Sequence, residues 1–325
     1  MKKLPFEIGR SVITKKEAET DSKYGKKPEE RTIEENLDFG IINLNKQQGP
    51  TSHQVSDYVK KILKVKRAGH SGTLDPNVTG VLPIALNRGT RILKNLLKAG
   101  KEYICLMHLH KDVPEEKIIK VIEGFIGINI QKPPVRSAVK RVERERNVYY
   151  IEILEIDGKS VLFRVGCEAG TYIRTLCVQI GKKLGTSANM YQLVRTKVAM
   201  FDDTSWVSLH DLKDAYENYK NGNEKDIRKI IYPIEKAVEH LPKIWIFDNA
   251  IDSVCHGADL NLPGVSKFNE GIEKGQLTAV MSLKDELICV GESLMDYTEI
   301  EKKKKGNVIK DKKVFMEIGV YPKIN

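Results

Sequence analysis

The sequence is short of the residues that staple small secreted or metal-dependent folds. Its five cysteines, at positions 105, 167, 177, 255 and 289, form no Cys-x-x-Cys pair, and their number is odd. That argues against a disulfide framework and for reduced, mostly buried thiols in a cytosolic protein with no zinc site of its own. The seven histidines show no metal-ligand spacing. His108 and His110 alternate along a predicted strand and read as its solvated side. No apolar run approaches membrane length and no long apolar segment opens the chain, so the expectation is a soluble, cytoplasmic protein without membrane contact. Internal repeats are absent. Acidic residues are outnumbered, 44 against 54 basic ones, for a net charge of +10. Such a surplus suits a polyanion, RNA or DNA, better than an acidic small substrate. A hydrophobic content of 41% over 325 residues is enough for one large or two ordinary domains.

One stretch organises the rest: Gly69-His70-Ser71-Gly72-Thr73-Leu74-Asp75-Pro76-Asn77-Val78-Thr79-Gly80-Val81-Leu82-Pro83. Gly69 and Gly72 allow a turning or closely approached backbone. Pro76 pushes Asp75 out of the helical region. The apolar run Val81 to Leu86 reads as a buried strand. Asp75 is then a lone carboxylate on a constrained loop backed by a hydrophobic strand. By itself the Asp-Pro pair signals no more than a turn.

Other segments follow by pattern. Residues 1–38 are polar and charged, with Thr20 to Arg31 resembling a disordered arm. Ile41 to Leu44 is a predicted strand. Thr51 and Gln54 form a capping box, and Val55, Val59, Ile62 and Leu63 make one helix face. Lys60, Lys61, Lys64, Lys66 and Arg67 crowd the end of that helix, where they suit its dipole and also stand ready for a phosphate backbone. Thr90 to Ala99 and Glu115 to Phe125 read as helices, and a strand begins at Lys101-Glu102-Tyr103. The segment Gln131-Lys132-Pro133-Pro134-Val135-Arg136-Ser137-Ala138-Val139-Lys140-Arg141 cannot be regular, because of its two prolines. Between Lys132 and Arg146 lie six basic and two acidic residues, as a basic clamp on RNA would need. Val148 to Ile156 and Val161 to Glu168 form a hairpin through Asp157-Gly158. Thr171 is the expected N-cap of a helix carrying Ile173, Leu176, Cys177, Ile180 and Leu184 on one face. Arg174 falls in its first turn, against the dipole. Bordering an apolar face, it is expected to be partly buried and to need a carboxylate, for which Asp75 is the candidate. Ser208 and Asp211 cap another helix. From about Lys243 short strands and frequent glycines suggest a small β-barrel.

The string Gly-His-Ser-Gly-Thr-Leu-Asp-Pro, followed by Thr-Gly-Val-Leu-Pro, resembles the catalytic motif of the TruB-type pseudouridine synthases. The resemblance extends over nearly the whole chain, and it points to the dyskerin-like branch that serves box H/ACA guide-RNA particles. It implies an α+β fold: a mixed, mostly antiparallel central sheet flanked by helices, followed by a small all-β PUA pseudo-barrel. The implied domains are an N-terminal arm (1–38) packed on the C-terminal domain, a catalytic domain (39–242) and a PUA RNA-binding domain (243–325). Asp75 is implied as the nucleophile, and the Gly-Thr-Tyr-Ile-Arg motif pairs it with Arg174. Lys101-x-Tyr103 implies a ring that stacks on the target base. His70, Ile173, Leu193 and Arg195 join the implied pocket. Tyr172 is a pocket member or a helix-packing residue. Gln192-Leu193-Val194-Arg195-Thr196 departs from the family's Glu-Leu-Arg-Arg-Thr at its first and third positions. Implied RNA contacts are Lys60, Lys64, Arg67, Lys132, Arg136, Lys140 and Arg141 in the core, and His256, Gly257 and Ala258 in the C-terminal domain.

The implied activity is isomerisation of uridine to pseudouridine in rRNA, and also in tRNA, without cofactor or metal. A carboxylate can supply the one nucleophile required, whether it attacks ribose C1′ or base C6. The implied partners are a box H/ACA guide RNA, a small zinc-binding subunit, a glycine-arginine-named small subunit and a kink-turn-binding ribosomal-type protein. A stand-alone synthase of the tRNA T-loop and a non-catalytic RNA scaffold are the alternatives.

Overall fold

The computed structural model describes residues 3–7, 9–133 and 140–323. In chain order its strands and α-helices are β1 (Val12–Thr14), α1 (Ile33–Phe39), β2 (Gly40–Lys46), α2 (Ser52–Leu63), β3 (Ala68–His70), β4 (Thr79–Leu86), α3 (Leu93–Leu97), β5 (Lys101–Leu109), α4 (Glu115–Glu123), β6 (Gly127–Gln131), β7 (Arg144–Asp157), β8 (Ser160–Cys167), α5 (Ile173–Leu184), β9 (Ala188–Val198), β10 (Phe201–Asp202), α6 (Leu209–Lys220), α7 (Ile227–Ile230), β11 (Ile231–Pro233), β12 (Lys243–Ile246), α8 (Asp248–Cys255), β13 (Leu260–Asn261), β14 (Val265–Asn269), β15 (Leu277–Met281), β16 (Leu287–Ser293), α9 (Tyr297–Lys302) and β17 (Asn307–Val314). They fall into two compact units, residues 1–7 with 42–230 and residues 8–41 with 231–325.

The first unit is built on a sheet that runs β2-β4-β9-β5-β8-β7-β6, with β3 on β4 and β10 on β9. Strand β5 shows why it forms. Tyr103, Cys105, Met107 and Leu109 alternate onto one face and are buried with Ile118 and Ile122 of α4 and with Ile173, Leu176, Cys177 and Ile180 of α5, while His108 is exposed. Strands β4 and β9 run parallel, with Thr79 opposite Val194 and Gly80 opposite Arg195. Gly80 is required there. Its φ is +108°, and a Cβ would sit 2.2 Å from the Arg195 carbonyl oxygen.

Several local expectations shift. Thr90 to Ala99 is a 3-10 turn (Asn87–Ile92) followed by the five-residue α3; the Thr90 hydroxyl donates back to Asn87 O at 2.8 Å, which competes with a regular helix. Strand β7 starts at Arg144, so the basic residues 144 and 146 belong to a strand. Both expected capping boxes form, at Thr51/Gln54 and Ser208/Asp211.

In the second unit the sheet order is β1-β14-β12-β15-β16-β17-β13, with β12 and β15 parallel. Three short helices, α1, α8 and α9, accompany the strands among the described residues. The N-terminal segment is tied in by β1 pairing with β14, by Thr20 donating to Asp248, and by Arg31 forming two 2.8 Å bonds to Glu235. Residues 231–242, placed with the catalytic domain by sequence, group here. Glu235 explains it: besides Arg31 it accepts from Leu287 N–H at 2.9 Å.

Candidate active site

Asp75 sits in a built loop. Its carbonyl accepts from Val78 N–H at 3.0 Å, closing a turn with Pro76 at the second position. On one side Ser52, the first residue of α2, clasps Leu74: its hydroxyl accepts from Leu74 N–H at 2.9 Å and donates to Leu74 O at 3.2 Å. On the other side Lys46, fully buried at the end of β2, donates to Pro76 O, Val78 O and Gln47 O at 2.9–3.1 Å. Burial lowers the Lys46 pKa, and the facing Asp75 charge opposes that shift. Neither Ser52 nor Lys46 was singled out by sequence, since nothing in a charge pattern marks a lysine as one that turns inward.

The Asp75 carboxylate accepts from Arg174 at 2.9 Å. The pairing is as expected; the reason for it is not. The Arg174 side chain is 53% exposed and that of Asp75 63%, so both face water. Helix α5 starts one residue later than predicted, with Tyr172 as N-cap, because the Thr171 hydroxyl is spent on Glu168 O at 2.8 Å. Arg174 remains in the first turn.

The buried arginine of the site is Arg195, 1% exposed. A bulge between Glu102 and Tyr103 in the β5–β9 pairing sets Arg195 directly opposite Tyr103. Its guanidinium is turned inward, donating to Val81 O at 2.8 Å and Gly72 O at 2.9 Å, and so brackets both ends of the motif loop. Gly72, at φ +74°, leaves room for it. Thr196, the extra residue of the bulge, donates to the buried Glu102 carboxylate at 2.7 Å, which also accepts from Tyr150. Tyr103, 8% exposed, lies in one apolar cluster with Leu74, Val78, Ile173 and Leu193. Thus Leu74 and Val78, on either side of Asp75, join the loop to the expected pocket residues. Burial raises the Tyr103 pKa, keeping the phenol neutral at pH 7.

His70 ends β3, with its ring 4.8 Å from that of His53 on α2. Burial, helped by His53 and Arg195, lowers its pKa to about 4, so it is neutral at pH 7. Lys101, buried, donates to Leu97 O and Ala99 O at 3.1 and 2.7 Å. Burial and Arg195 bring its pKa down to about 7 from 10.5. Between those values the unfolded chain holds more protons, so this group makes stability rise as pH increases through that window. Lys101→Met is expected to remove that part of the rise, read as the difference between urea-unfolding free energies of the two proteins from about pH 7 to about pH 10.

The remaining candidates are spread out. Lys60, Lys64 and Arg67 are exposed around the end of α2, and Lys132, Lys140 and Arg141 are exposed at the two described ends of the 132–141 segment, where Arg141 donates to Pro133 O at 3.3 Å. Arg136 lies outside the described residues. In the second unit His256, Gly257 and Ala258 form an exposed turn after α8, braced by Lys312 donating to Gly257 O at 2.9 Å. All five cysteines are buried free thiols. No helix among the described residues is long and apolar enough to cross a membrane.

Comparison with known proteins places this geometry. Residues 60–173 match the N-terminal domain of the TruB family pseudouridylate synthases and 174–239 the tRNA pseudouridylate synthase B C-terminal domain. Residues 242–315 match the PUA domain and 2–56 the DKCLD (NUC011) domain. A probable tRNA pseudouridine synthase B of Pyrococcus abyssi is 55% identical over 99% of this chain and 97% of the relative. Its counterpart in Methanopyrus kandleri is 51% identical over 99% and 96%. Among solved structures, a chain in a Cbf5–Nop10–Gar1 complex is 54% identical, with a TM-score of 0.95 and 99% of both chains covered. A chain of an H/ACA RNP bound to a substrate RNA containing 2′-deoxyuridine is 52% identical, with a TM-score of 0.92, 98% of this chain covered and 99% of that one.

Proposed function

The chain belongs to the TruB family of pseudouridylate synthases, and on that premise we propose that it isomerises uridine to pseudouridine in rRNA, with Asp75 as nucleophile, as the catalytic subunit of a box H/ACA particle. The observation that carries the reading is the Asp75–Arg174 pair, whose chain neighbours Leu74 and Ile173 lie in one apolar cluster with Val78, Tyr103 and Leu193. The reaction detaches uracil from ribose and rejoins it through carbon 5, with no change in oxidation state. A carboxylate can hold the sugar or the base meanwhile. The target base must first leave its stack, which costs a few kcal/mol. Tyr103 offers it a ring, a contact of roughly 1–3 kcal/mol. The apolar cluster excludes water from the adduct. His70, neutral and half-buried, helps hold the extruded nucleotide.

Guide pairing chooses the uridine, so the catalytic unit need only hold phosphates. Lys60, Lys64, Arg67, Lys132, Lys140 and Arg141 are suited to that, since such contacts position RNA without reading it. The exposed turn at His256, Gly257 and Ala258 is suited to single-stranded bases of the guide's ACA end. The solved relatives' complexes name Nop10 and Gar1; we assign this chain the corresponding two small subunits and, from the family resemblance, a kink-turn-binding protein. Five unpaired thiols suit a reducing cytoplasm.

A second reading has its own support: the curated relatives are named for tRNA, and a synthase of the tRNA T-loop would need no guide. Conversion of a target rRNA segment and of a tRNA should therefore be measured with no guide, a matched guide and a mismatched guide. Conversion of the rRNA uridine only under the matched guide is the expected result. Guide-independent conversion confined to tRNA would replace it with the second reading, and no conversion of either RNA would leave only a binding scaffold.

A further inference from the structure

We infer that Gln131 is a positioning residue of the reaction: its side-chain amide fixes the backbone at the start of α5 and thereby sets Arg174 beside Asp75. The inference rests on the synthase reading above.

Helix α5 begins without the usual support. Its N-cap is Tyr172, and no side chain of the cap residue accepts from the first-turn amides. The nearest hydroxyl, Thr171, is spent outside the helix. Arg174 in the first turn opposes the dipole. The Arg174–Asp75 pair is more than half exposed on both sides, and in water such a contact is too weak to hold a helix start in place.

Gln131 provides what is missing. It is 2% exposed. Its Oε1 accepts from Tyr172 N–H at 2.9 Å, and its Nε2 donates to Tyr172 O at 3.3 Å. That carbonyl also accepts the first intrahelical bond, from Leu176 N–H at 3.0 Å. Both ends of one amide are therefore used on a single residue, two positions before Arg174. Gln131 is itself fixed, as the last residue of β6 paired with Arg144 of β7. Further along the helix Gln179 donates to Ile130 O at 2.8 Å, so β6 holds α5 at two points. Without the amide, Ile173 and Leu176 still anchor the helix in the core, but its first turn is free to shift. The long Arg174 side chain amplifies such a shift at its guanidinium.

The test uses the full chain assembled with a guide RNA and its target, in single turnover followed long enough to read slow variants. Gln131→Met keeps the volume and loses both bonds. Its rate constant is expected to fall roughly ten- to a hundredfold, the range that misplacement by about an ångström produces, with RNA affinity within about twofold of the parent. Gln131→Glu keeps the acceptor for the shorter bond and should lose less. In an Arg174→Ala background the Gln131→Met substitution should cost less than about threefold, because the two act through one contact. An unchanged rate for Gln131→Met overturns the inference, as do losses that multiply in the double variant, or equal losses for Met and Glu. If the parent chain itself converts no uridine, the synthase reading fails instead.

Discussion

Replacing Asp75 by asparagine is expected to lower pseudouridine formation by more than about 10⁴-fold, the scale seen when a covalent nucleophile is removed. The amide has the shape of the carboxylate and can still accept from Arg174, but it cannot form the adduct. The fold should tolerate the change. Asp75 is well exposed, and the loop around it is held by backbone contacts from Lys46, Ser52 and Arg195 rather than by its own side chain. RNA should bind as well or slightly better, since a negative charge is lost from a surface that meets phosphates. Product and binding are to be measured with the same RNA. Appreciable turnover by the asparagine variant would end the nucleophile assignment; weakened binding would mean that Asp75 positions RNA instead.

Arg174→Ala is expected to slow the reaction by about 10²–10³-fold, the usual cost of removing one preorganised donor from a reacting group. Arg174→Lys should recover part of this, because it restores the charge but not the planar fork. Stability should barely change in either variant, since an exposed pair contributes at most about 1 kcal/mol. Thermal unfolding and single-turnover rates of both variants decide the matter. A large loss of stability would show that Arg174 is a structural residue, and equal rates for Ala and Lys would show that its charge is irrelevant.

The contrast between Arg174 and Arg195 shows how far sequence reasoning reaches into this site. Both arginines stand out in the sequence, and the expected Arg174–Asp75 pair forms. The inference that reached Asp75 nevertheless assumed burial, and it is Arg195 that is buried and bound to backbone carbonyls. What separates them is a one-residue bulge at Thr196, which turns Arg195 toward Tyr103. Bulges depend on pairing across strands distant in sequence, and no local pattern announces them. Lys46, Ser52 and Gln131 were missed for a related reason: each acts on main-chain atoms of a segment brought near only by folding. Elements carried by local chemistry were read correctly, such as the capping boxes at Thr51 and Ser208 and the hairpin at Gly158. Thr171 looked like a cap and is not, because Glu168 O competes for its hydroxyl.

The most direct measurement is the position of the target uridine in a crystal structure of the full chain with guide and target RNA. The uridine is predicted to be extruded, its base against Tyr103, and its ribose C1′ or base C6 within about 3.5 Å of an Asp75 carboxylate oxygen while Arg174 stays paired. A uridine that remains stacked in its helix, or one extruded into a pocket that Asp75 does not reach, would contradict the account.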